Sequence, residues 1–116
     1  MNSIKYYLNK AASMAYESDD RKHFRLAAVG IRSDGATVAS TNIRTVDRCR
    51  NAHAETRLSK KLDVGSVVYV ARSSKAGEWS MARPCESCKK TLRTRGVKKV
   101  YYTVGPSEFG CMILCD

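Results

Sequence analysis

The chain has 116 residues, enough for one domain with a real core, so residues 1–116 are expected to fold as a single unit without disulfide staples. No signal-peptide pattern is present and no apolar run approaches the roughly 18 residues that span a membrane. The five cysteines show no framework spacing, so the expected setting is reducing and cytoplasmic. The net charge of +10 is concentrated between Arg44 and Lys99, where 15 Lys/Arg stand against 5 Asp/Glu; such a surface attracts nucleotides or nucleic acid, although a solvated basic face explains it too.

Ile4, Tyr7, Leu8, Ala11, Ala12 and Ala15 recur at helical spacing and predict an amphipathic helix over 4–16. After the polar loop ESDDRKH, residues 25–31 and 36–41 read as a β-hairpin around the turn RSDG, with Asp34-Gly35 supplying the bend. An irregular stretch from Asn42 leads to a helix that starts near His53, with Asn51 as its cap. SVVYVA (66–71) is a strand, and a polar loop follows it. PCESCKKTLRTRG (84–96) is a helix with Pro at its start and Gly at its end. VKKVYYTV (97–104) and EFGCMILC (108–115) are the last strands, and too few residues separate them for a parallel crossover, so they should form an antiparallel hairpin. The order α-β-β-α-β-α-β-β predicts an α/β fold with helices on both faces of a mixed five-stranded sheet.

The chemistry is concentrated in two short stretches. Cys85 and Cys88 form P-C-x-x-C at a helix start, where i, i+3 spacing puts both sulfurs on one face and the positive helix end favours thiolate. His53 opens the preceding helix, and two helices on one side of a sheet can bring their N-termini together. One imidazole and two thiolates then leave a fourth zinc position open, whereas a structural site would close it with a fourth protein ligand. Cys49, Cys111 and Cys115 are the candidates for that ligand. A redox-active Cys85/Cys88 pair is a further alternative, disfavoured by the absence of a strand directly before it.

HAE (53–55) combined with PCESC (84–88) resembles the zinc-dependent cytidine/deoxycytidylate deaminase superfamily, over about Arg25 to Tyr102 and including element order. The resemblance implies a three-layer α/β/α cytidine deaminase-like fold and a zinc cofactor held by His53, Cys85 and Cys88. It also implies conversion of cytosine to uracil by zinc-bound hydroxide, with Glu55 moving the protons. In the family, the backbone amides at the positions of Ala54 and Cys85 orient nucleophile and substrate, and an asparagine at the place of Asn42 contacts substrate. As a bare residue, Asn42 also reads as a turn residue closing the hairpin.

Three branches compete for the substrate. The free-cytidine branch, usually oligomeric, typically has Cys where His53 stands and a glutamate where Arg44 stands; an arginine there suits a phosphate better than a ribose hydroxyl. The deoxycytidylate branch matches H-A-E but usually carries a longer C-terminal part. The tRNA-adenosine branch also uses both motifs, and the basic charge suits RNA. Trp79 is the one candidate for base stacking outside the strands. The expected partner is therefore a small-molecule nucleoside or nucleotide acted on by a homo-oligomer. The alternatives are a polynucleotide deaminase of adenine or cytosine, and a catalytically silent, zinc-stabilised nucleic-acid-binding domain; Glu55 separates the last from an enzyme.

Overall fold

A computed structural model of the chain describes residues 3–16, 26–41, 58–73, 78–84 and 86–114. Helix α1 spans Ser3–Tyr16. Its Leu8, Ala11, Ala12 and Ala15 form the buried stripe that the spacing predicts. Strands β1 (Leu26–Ile31) and β2 (Thr37–Thr41) pair antiparallel from Ile31↔Thr37 to Ala27↔Thr41. Their turn is closed by the Gly35 N–H on Arg32 O at 2.9 Å and the Arg32 N–H on Ala36 O at 2.9 Å. Gly35 takes φ +90°, the left-handed residue that finishes a short hairpin loop.

Strand β3 runs Val67–Ser73, two residues past the apolar run that announces it. The short strand β4 (Trp79–Ser80) pairs antiparallel with its end. Helix α2 (Glu86–Thr94) crosses over to β5 (Lys99–Gly105), which lies parallel to β3, and β6 (Glu108–Ile113) returns as the antiparallel hairpin partner of β5. The sheet order is β2-β1-β3-β5-β6 with β4 on β3, so the sheet has six strands where the sequence predicts five. Among the described residues no helix is long and apolar enough to cross a membrane.

Alternation along the strands divides the core. Leu26, Ala28, Val68, Val70 and Val100 face Leu58, Leu62 and Leu92, which puts α2 and the helical residues Leu58 and Ser59 on one face. Val29 and Ala71 face Ala11 and Ala12 of α1 on the other. The result is the expected α/β/α sandwich. Between these layers Gly30 leaves the space that a leucine needs: a Cβ there would lie 2.5 Å from Leu62 Cδ2.

Helix α2 ends in a doubly bonded C-terminal turn. The Gly96 N–H binds Arg93 O at 3.0 Å and the Val97 N–H binds Leu92 O at 3.1 Å, with Leu92 and Val97 meeting in the core. Arg95 then reaches to the neighbouring helical turn, its Nε donating to Ser59 O at 2.8 Å and Nη2 to Lys60 O at 3.1 Å. These bonds fix α2 at the end of the sheet remote from its own N-terminus.

Candidate functional site

Register fixes which residues share the other end of the sheet. Thr41 is level with Ala27, and Ala27 with Ala71. The last residues of β2 and β3, all of β4, and the end of β5 therefore gather where α2 begins. Parallel β3 and β5 pair only from Val67↔Lys99 to Val70↔Tyr102. Beyond that β3 pairs with β4 instead, through Arg72↔Ser80 and Ser73↔Trp79. The strands part, and the segment leading into α2 enters the fork. Crevices at the carboxyl ends of strands are where open α/β sheets bind ligands.

Thr103 holds the fork together. Its hydroxyl is fully buried, accepts the Arg72 N–H at 3.2 Å and donates to Ser80 O at 2.6 Å. Its carbonyl accepts the Ala82 N–H at 2.9 Å. One threonine thus links β3, β4 and β5, and fixes the path from Ala82 to buried Pro84 and the start of α2. The sequence reading treats this stretch as a polar loop, because two strand residues in a polar segment carry no alternation signal.

Of the ligand candidates, Cys88 is described. It lies in the first turn of α2 and is 1% exposed. With Leu92, one turn further on, it forms the buried side of α2. His53, Ala54, Glu55, Asn42, Arg44 and Cys85 lie outside the described residues. Among the described residues no three His, Cys, Asp or Glu side chains are grouped to hold a metal. The donor at Cys88 nonetheless fits zinc: it is a buried sulfur, a soft ligand, in the first turn of a helix.

Cys111 is removed from the ligand set. It pairs directly with Tyr101 across β5 and β6, and Tyr101 stacks on Tyr69 with centroids 5.3 Å apart. Tyr69 in turn meets Tyr7 of α1 at 5.0 Å. Cys111 is therefore on the α1 face, with the sheet between it and Cys88. Cys49 and Cys115 lie outside the described residues. Trp79 is likewise on the α1 side, packed against the cluster of Ala11, Ala12, Val29 and Ala71. It does not share the face on which α2 presents Cys88.

Arg72 is a residue that motif reasoning misses. Register places it level with Leu26 and Ser80, on the α2 side at the parted end of β3. Its Nε is buried without a hydrogen-bond partner among the described residues. The only signal in the sequence is an arginine continuing an apolar strand.

Solved structures share this architecture. The dCMP deaminase of cyanophage S-TIM5 in apo form is 24% identical, over 88% of this chain and 84% of that one, with a TM-score of 0.59. The cytidine deaminase of Burkholderia pseudomallei is 16% identical over 94% and 91%, with a TM-score of 0.66. That of Mycobacterium tuberculosis is 21% identical over 87% and 81%, at 0.50. At these identities the likeness is one of fold, and the fold is cytidine deaminase-like. No curated protein sequence matches the chain. Residues 1–104 match the cytidine and deoxycytidylate deaminase zinc-binding region, and the chain belongs to that family.

Proposed function

We propose that the protein is a zinc-dependent hydrolytic deaminase that converts cytosine to uracil in cytidine, deoxycytidine or their monophosphates. The observation that carries this reading is the buried Cys88 in the first turn of α2, at the fork of β3 and β5, in a chain whose family is defined by a deaminase zinc-binding region. His53, Cys85 and Cys88 would hold the metal. Bound zinc makes a water acidic enough to serve as a nucleophile near neutral pH.

The remaining work falls to the chain. Glu55 takes a proton from the water and delivers it to the ring nitrogen next to the amine-bearing carbon. A second proton transfer through Glu55 lets the amine leave as ammonia, so one water is consumed for each ammonia released. The amides of Ala54 and Cys85 orient nucleophile and base. Asn42 contacts the sugar, and Arg44 offers a guanidinium to a 5′-phosphate. Thr103 acts at a distance, by holding the entry to α2 against β3 and β5.

Glu55→Ala should retain zinc and lose ammonia release by at least about a hundredfold, the lower range for a removed general acid–base. Undiminished turnover would take Glu55 out of the mechanism. A panel of cytidine, deoxycytidine, their monophosphates and single-stranded DNA and RNA identifies the substrate. Activity on polymers alone overturns the small-molecule reading.

A further inference from the structure

A cavity of about 360 Å³ opens on the α1 side of the sheet, lined by Lys5, Asn9, Glu78, Trp79, Pro106 and Ser107. Three separate elements meet there: the first turns of α1, the start of β4 and the β5–β6 turn. Its volume lies within the range of small-molecule pockets. It lies at the same end of the sheet as the fork but on the opposite face from Cys88, so it belongs to no part of the site described above.

We propose that this cavity binds a nucleotide, with the base stacked on Trp79 and the phosphate held by Lys5. The lining divides chemically in a way that fits this ligand. Trp79 is half-buried and rests against the alanine cluster under α1, so its indole is a fixed platform rather than a free surface ring. Lys5 and Asn9 stand one turn apart on α1, both exposed, so ammonium and amide reach the same ligand. The first turn of α1 contains no acidic residue to compete for Lys5, and the helix end adds positive potential. Asn9 supplies both a donor and an acceptor, as a base edge requires. Glu78, the one carboxylate among the described lining residues, would accept sugar hydroxyls.

The β5–β6 turn forms one wall of the cavity. Ser107 takes φ +62°, a conformation that L residues with a Cβ seldom adopt. Pro106 before it locks the turn. Pro before a residue of positive φ is the pattern of a tight hairpin turn, so this wall has a fixed backbone path.

The chain contains one tryptophan, so its selectively excited fluorescence reports this cavity alone. Uridine 5′-monophosphate, which carries no amine to release, is titrated into the full chain beside uridine, inorganic phosphate and a short oligouridylate. A saturable change with the monophosphate or the oligomer is expected, weakened about tenfold or more by Lys5→Glu and by Asn9→Ala. A response confined to the monophosphate identifies a free nucleotide as the ligand, and a tighter response to the oligomer identifies a strand. No saturable change with either overturns the proposal. So does equal binding of uridine or phosphate alone, or insensitivity to both substitutions. The readout needs no turnover, so it stands or falls separately from ammonia release.

Discussion

Cys88 and Cys111 lie on opposite faces of one sheet, Cys88 under α2 and Cys111 beside Tyr101 on the α1 side. A single metal cannot use both. Metal analysis of the purified protein should give about one zinc per chain, as one three-ligand site implies. Cys88→Ser should bring that ratio near zero together with ammonia release, whereas Cys111→Ser should leave both within about twofold. Loss of zinc in the Cys111 variant would restore the four-ligand structural site and remove the open position that catalysis needs.

Most of the architecture is legible in the chain because its signals are local. The apolar runs LAAVGI and VVYVA, the Asp34-Gly35 turn, and the Pro84 and Gly96 flanks of α2 each act within a few residues. Strand β4 is illegible because it is two residues long in a polar segment: Trp79 and Ser80 pair with the nearby end of β3 and are held by Thr103, more than twenty residues away. The face of Cys111 is hidden too, since it follows from the β5–β6 register rather than from spacing. The roles proposed for His53, Glu55 and Cys85 come from pairing two short stretches of sequence, and these residues lie outside the described ones. Arg72 and the cavity around Trp79 cannot be read in this way, because their partners in space are distant in sequence.

Gly96 and Gly35 share a left-handed backbone but not a neighbourhood. Gly96 has φ +88°, and a Cβ there would lie 3.0 Å from Val64 Cα and 2.8 Å from Val64 Cγ2; at Gly35, φ +90°, nothing lies within 4 Å. Gly35→Ala should therefore cost only the conformational term, about 1 kcal/mol. Gly96→Ala adds a backbone clash and disrupts the end of α2, for a total of roughly 2–4 kcal/mol. Denaturant melts of the two variants should differ accordingly. Equal losses would mean that the Val64 turn moves freely, and that the C-terminal anchor of α2 is weaker than its hydrogen bonds imply.

Asp63 ties the hairpin turn to the start of β3. Its Oδ1 accepts the Ser33 N–H at 3.0 Å and its Oδ2 the Ser33 hydroxyl at 2.7 Å, while the Ser66 hydroxyl lies 2.7 Å from Oδ1. Arg32 Nη2 stands 3.9 Å from Oδ2. The backbone bond from Ser33 leads these causes, followed by the Ser66 and Ser33 hydroxyls, and together they hold the carboxyl far below the usual carboxylate range. A depressed folded-state pKa means that the stabilisation is complete above the unfolded value of about 4 and is lost as pH falls below it. Asp63→Asn keeps an acceptor but removes the charge and one acceptor oxygen. The stability gap between wild type and variant should stay constant from neutral pH down to about 5, then narrow steadily below about 4. Urea melts across that range measure the gap directly, and a gap that widens on acidification would show that the Ser33 and Ser66 bonds do not depend on the carboxylate charge.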